Sequence, residues 1–135
     1  MIFFPNSVDP LRGVLDTGTT LIIFPEPVAN VIAKKYNATP NQDGTYNIAC
    51  DAKKIPELTL NFGTASYKVP SESLIYYDDG KGKCVAGFAT ANFPFIILGD
   101  VFLKNVYTVF DYSSPATVKL AQAVLPPKYT NNNGF

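Results

Sequence analysis

The 135-residue sequence contains no histidine, and that absence excludes more chemistry than any other feature of its composition. Serine or cysteine triads that rely on an imidazole base cannot be built within the chain, and neither can His-containing zinc sites. Two cysteines are too few for a four-thiolate zinc site or a typical iron–sulfur cluster. Eleven basic residues cancel eleven acidic ones, so there is no electrostatic case for nucleic acid, an anionic membrane surface or a polyanionic substrate. No stretch approaches the ~20 apolar residues of a membrane span. What remains for chemistry is carboxylates, hydroxyls, lysines and backbone amides. At 47% hydrophobic and 16% charged, the chain has ample material for one buried core.

The apolar pattern is mostly two-fold and the elements are short. Gly13–Asp16 and Leu21–Phe24 predict two buried strands separated by a Thr/Gly turn cluster. Pro25 to Asn37 predicts a helix, with Pro and Glu near its start, Lys34 and Lys35 in its last turn, and Val28, Val31, Ile32 and Tyr36 on one face. After a turn at 41–44, Thr45–Ile48 reads as a strand. The alternation in Glu57–Phe62, the turn at Gly63–Ala65 and the segment Tyr67–Val69 read as a hairpin. Further short strands are expected at Leu74–Tyr77, Cys84–Ala89, Phe95–Leu98, Val106–Asp111 and Thr117–Ala121. The charged run 78–83 reads as a solvated turn, and its adjacent carboxylates Asp78 and Asp79 diverge too much to act as a pair. The tail 126–135 has little to pack and is expected to be disordered. The fold class is therefore mainly β, with one clear helix.

Asp16 ends an apolar strand and is followed at once by Thr17-Gly18-Thr19-Thr20. A carboxylate leaving a buried strand is costly unless its oxygens accept hydrogen bonds, which Gly18 and the neighbouring hydroxyls are placed to supply. An isolated D-T-G is also compatible with a simple Asx-type turn. A second cluster, Phe95-Ile96-Ile97-Leu98-Gly99-Asp100, is again an apolar strand ending in glycine and aspartate. Cys50 and Cys84 allow either two buried thiols or one disulfide. Asn37-Ala38-Thr39 is an N-glycosylation acceptor sequence. The start of the chain has neither a basic segment nor an apolar run of signal-peptide length, so it does not read as a secretory signal, and the chain is expected to be a fragment.

Together, Asp16–Thr20, Ile97–Asp100, the Val106–Asp111 strand and the cysteine spacing resemble the C-terminal lobe of the pepsin-like aspartic endopeptidases, over residues 13–125, with 1–12 not matching. The resemblance implies one lobe of the bilobal acid-protease β fold, with one or two short helices. It implies that Asp16 is the lobe's catalytic carboxylate, that Thr17 hydrogen-bonds across the lobe junction, and that Gly18 N–H and the Thr19 hydroxyl hold the carboxylate. Ile97, Leu98 and Gly99 resemble the strand behind the catalytic loop that borders the cleft. Asp100 and Asp111 match motif positions in structural roles. Cys50 and Cys84 are implied to form a disulfide, and the protein to be secreted or vacuolar.

In that family, peptide hydrolysis uses two close carboxylates that share a proton and activate a water, with no metal or cofactor. This sequence holds one such motif and no flap hairpin. The leading expectation is a lobe that acts on polypeptides only with an N-terminal lobe supplying the second aspartate and the flap. The alternatives are a catalytically inactive remnant or peptide-binding module, and a homodimer in which each chain gives one Asp16.

Overall fold

The computed structural model describes residues 2–3 and 11–124. The segment 126–135, expected to be disordered, lies outside the described residues, as do Met1 and 4–10 of the N-terminal segment. The elements in chain order are β1 (Ile2–Phe3), β2 (Gly13–Leu15), β3 (Ile22–Phe24), α1 (Glu26–Tyr36), β4 (Thr39–Pro40), β5 (Thr45–Ile48), β6 (Leu58–Phe62) and β7 (Ala65–Val69). They continue with β8 (Ile75–Asp78), β9 (Cys84–Thr90), β10 (Ile96–Leu98), α2 (Asp100–Leu103), β11 (Val106–Asp111) and β12 (Thr117–Gln122).

Among the described residues the strands form three sheets: a large one in the order β2-β10-β3-β9-β5-β4 with β8 also paired to β9, a smaller one in the order β1-β6-β7, and the hairpin β11-β12. The protein is mainly β, and each expected strand is present within a residue or two. Strand β9 is paired along both edges, with β5 on one side and β8 and β3 on the other, and five of its seven residues are buried. Its first residues pair with β8 and its last with β3, so two strands share one edge in succession. Gly87 sits at that change of partner, where a Cβ would lie 2.7 Å from the Ser73 carbonyl oxygen.

Helix α1 buries Ala29, Ile32, Ala33 and Tyr36 against the large sheet. Val31, expected on the packed face, is 66% exposed. The buried set follows i, i+3, i+4 spacing, and Val31 is rotated off that stripe towards solvent. Phe88 of β9 forms the centre of the aromatic core, with ring centroids 5.8 Å from Tyr36, 5.4 Å from Tyr46 and 6.5 Å from Phe24. A second cluster joins Phe62, Tyr67 and Phe102 beneath the hairpin β6-β7. Cys50 and Cys84 form a disulfide, with Cα atoms 5.3 Å apart, tying the chain beyond β5 to the start of β9. No helix among the described residues is long and apolar enough to cross a membrane.

Candidate active site

The geometry around Asp16 follows from the order of three strands. β10 lies between β2, to which it is parallel, and β3, to which it is antiparallel. The segment joining β2 to β3 therefore has to cross over the end of β10. Asp16 through Leu21 form that crossing, and Gly99 is the residue beneath it. A Cβ on Gly99 would come within 2.4 Å of the carbonyl oxygens of both Thr19 and Leu21. Only a residue without a side chain allows the two backbones to approach this closely.

The crossing is pinned at both ends by main-chain hydrogen bonds. Asp16 N–H donates to the Leu98 carbonyl at 3.1 Å. The first amides of α2 donate back to the loop, Asp100 N–H to the Thr19 carbonyl at 2.8 Å and Val101 N–H to the Thr20 carbonyl at 2.9 Å. The amides that a helix start leaves without intrahelical partners thus fix the loop's carbonyls. The reading of strands and turns from the sequence did not place α2. Four residues are too few to show a helical period, so only the Gly99-Asp100 boundary could have signalled it.

Both carboxylate oxygens of Asp16 are held. Gly18 N–H donates to Oδ1 at 2.9 Å, and the Thr19 hydroxyl donates to Oδ2 at 2.6 Å. These two bonds, the hydroxyl first, hold the Asp16 carboxyl below the usual aspartate range, because each favours the charged form. Asp16 itself is half-buried, whereas Thr17 and Gly18 are exposed. Behind the loop, Leu98 and Gly99 are buried and Ile97 is partly so. The strand-end carboxylate, the glycine amide, the hydroxyl and the supporting strand named from the sequence therefore converge on one place. The arrangement presents an oriented, ionised carboxylate at the protein surface.

The other acidic residues have different partners. Asp79 accepts amide bonds from Lys81 and Lys83 at 2.7 and 2.9 Å, which lower its pKa, and Asp78 accepts one from Gly80 at 2.8 Å. Asp111 accepts the Ser113 amide at 3.0 Å and lies 3.8 Å from the Lys119 ammonium. Asp100 is exposed at the start of α2. The sulfurs of Cys50 and Cys84 and a carboxylate oxygen of Asp78 are close together, but the sulfurs are joined to each other, which removes the thiolates a metal would need.

The motif reading did not identify the apolar groove beside the loop. It has a volume of about 300 Å³ and is lined by Gly13, Leu15, Phe62, Leu98, Phe110 and Val118, among others. On β12, Val118 and Leu120 alternate with Thr117 and Lys119, and the antiparallel register sets Val118 opposite Phe110, so one apolar face of the hairpin lines the groove. That alternation was its signal in the sequence.

A family model described as eukaryotic aspartyl protease matches residues 6–123. Rhizopuspepsin-4 of Rhizopus niveus is 49% identical over 107 residues, an alignment covering 79% of this chain and 27% of that protein. Rhizopuspepsin of Rhizopus chinensis is 47% identical over 103 residues, covering 76% of this chain and 26% of that protein. Aspergillopepsin-1 of Aspergillus pseudoglaucus is 32% identical over 121 residues, covering 87% and 31% respectively. The chain thus spans roughly a quarter to a third of the length of these relatives.

Proposed function

Because the chain belongs to the eukaryotic aspartyl protease family, we propose that it is the C-terminal lobe of a secreted or vacuolar pepsin-like aspartic endopeptidase, with Asp16 as one half of a water-activating dyad. The observation that carries this reading is the two-point hold on the Asp16 carboxylate by Gly18 and Thr19 on a loop locked to β10.

A second carboxylate brought to about 3 Å from Asp16 changes its titration. Two like charges at that distance cannot both persist, so the pair holds one proton between them over a wide pH range. The hydrogen bonds that favour charged Asp16 then bias where that proton resides, and the pair titrates as a unit. The ionised member takes a proton from a bound water as it attacks the peptide carbonyl. The protonated member donates to the carbonyl oxygen, and the roles reverse as the tetrahedral intermediate collapses. The substrate is a polypeptide, and the reaction needs no metal or cofactor.

The second carboxylate and the flap come from an N-terminal lobe. Exposed Thr17 and the apolar groove beside β2 support a partner surface at this end of the sheet, since an apolar patch of this kind marks an interaction site. The test is reconstitution. The chain is co-refolded with the N-terminal lobe of Rhizopuspepsin-4, and cleavage of a denatured protein is assayed at acidic pH. Activity in the mixture, absent from either part and lost with Asp16→Asn, is the expected result. A properly refolded mixture without activity would favour the inactive, peptide-binding reading. Activity of the chain alone, rising with the square of its concentration, would replace the proposal with the homodimer.

A further inference from the structure

The acceptor sequence Asn37-Ala38-Thr39 takes no part in the Asp16 site, and its place in the fold gives it a separate role. Asn37 ends α1 in the left-handed region, with φ of 54°. Its own N–H donates to the Lys34 carbonyl and the Ala38 N–H to that of Ala33, so main-chain bonds alone close the helix. The side-chain amide of Asn37 makes no hydrogen bond among the described residues and is exposed. Thr39 is exposed as well, and the ring of Pro40 keeps it in extended backbone. A shallow groove of about 530 Å³ borders Asn37, edged by Asn30, Lys34, Thr39, Pro40 and Tyr46.

Position decides what this site can carry. In the large sheet, β4 is one edge and β2 the other, so the sequon and the Asp16 loop stand on opposite edges. A bulky group on Asn37 is directed away from the candidate catalytic surface. It would also shield the two-residue strand β4, whose outer edge is unpaired among the described residues. The Cys50–Cys84 disulfide is the product of an oxidising compartment, which in eukaryotes is where N-linked sugars are attached.

We infer that Asn37 carries an N-linked oligosaccharide whose first sugar lies along the groove beside Lys34 and Tyr46. The donor is a polyprenyl-pyrophosphate-linked oligosaccharide. The bond between its anomeric carbon and the pyrophosphate oxygen breaks, and the polyprenyl pyrophosphate leaves with the electron pair. Nδ2 of Asn37 forms the new bond to that carbon and loses one proton. Nothing is oxidised or reduced. The inference is independent of the role given to Asp16.

The test expresses the full chain behind a secretion leader in yeast. The reduced tryptic peptide Tyr36–Lys53 is then followed by mass spectrometry, with enzymatic deglycosylation in heavy-oxygen water. The expected result is a sugar-bearing peptide that becomes aspartate at position 37 with one heavy oxygen. The sugar disappears in Asn37→Gln and Thr39→Ala, persists in Thr39→Ser, and is unaffected by Asp16→Asn. Thr39→Ala leaves the helix cap intact, which separates loss of the acceptor from misfolding. An unmodified peptide from secreted, disulfide-bonded wild type would overturn the inference, as would sugar that survives Thr39→Ala.

Discussion

Gly99 lies directly under Thr19, with so little space that a single added carbon would sit 2.4 Å from the Thr19 carbonyl oxygen. The same carbonyl accepts the Asp100 amide, so it cannot move aside without breaking a bond that holds the loop. Gly99→Ala is therefore expected to destabilise the chain by about 1–3 kcal/mol through backbone overpacking. It should also displace Asp16, whose amide is fixed to the neighbouring Leu98. Urea denaturation checks the first effect and the chemical shift of the Asp16 carboxyl carbon the second. Unchanged values for both would mean that the crossing is looser than this geometry requires.

Thr19→Val removes the stronger of the two bonds to the Asp16 carboxylate while keeping a similar volume. The Asp16 pKa should rise towards its ordinary value in a carbon-13 titration, because the lost bond favoured the charged form. A depressed folded-state pKa contributes stability above the unfolded value, and that contribution is lost as pH falls through the folded value. The stability gap between wild type and Thr19→Val should therefore be widest near neutral pH and narrow on acidification below about pH 4. A gap that did not vary with pH would assign the effect to packing alone.

The strands could be read from the sequence because their apolar runs and turn residues agree locally, as at Glu57–Val69, where alternation and Gly63 specify the hairpin. The pairing of β10 between β2 and β3 could not be read that way. It joins segments far apart in sequence, and only the family resemblance suggested it. Asp16, Gly18 and Thr19 were recognisable because the contacts that hold the carboxylate lie within three residues of it. Gln122 was not, since it reaches the backbone of Lys68 through a fold-dependent approach of β12 to β7. The outward turn of Val31 reflects a similar limit. The helix period allowed two adjacent stripes, and the shape of the sheet selected one of them.

The Cys50–Cys84 bridge closes a segment with a sequence separation of 34. Constraining the unfolded chain over that length is worth about 3–4 kcal/mol on the chain-entropy account. Reduction, or the double substitution Cys50→Ala and Cys84→Ala, should lower the denaturation midpoint accordingly. The urea m-value should change too, because the unfolded chain becomes more expanded. The Asp16 titration should stay as it was, since the bridge ties β5 to the start of β9 and not to the loop. A shift in both would mean that the two regions unfold together.

Gln122 behaves as a detached piece of backbone. Its Oε1 accepts the Lys68 amide at 2.6 Å, and its Nε2 donates to the carbonyls of Lys68 and Asn105 at 3.1 and 2.9 Å. These bonds couple β12 to β7, alongside the Tyr67 hydroxyl, which donates to the Leu120 carbonyl at 3.0 Å. Gln122→Leu should cost about 1–2 kcal/mol, because the site is exposed and water replaces part of what is lost. Gln122→Glu is the more diagnostic change. A carboxylate would point an oxygen at two carbonyl oxygens that Nε2 now donates to, and that contact is repulsive unless the oxygen carries a proton, so the folded-state pKa of the new Glu rises. The stability linked to its proton is then fully present below the unfolded value of about 4.3 and lost as pH rises through the folded value. Measured against wild type at each pH, Gln122→Glu should therefore be weakest near neutrality and recover on acidification, while the Gln122→Leu deficit stays flat. Parallel pH profiles for the two variants would show that the side chain's donors carry none of the coupling between the hairpin and β7.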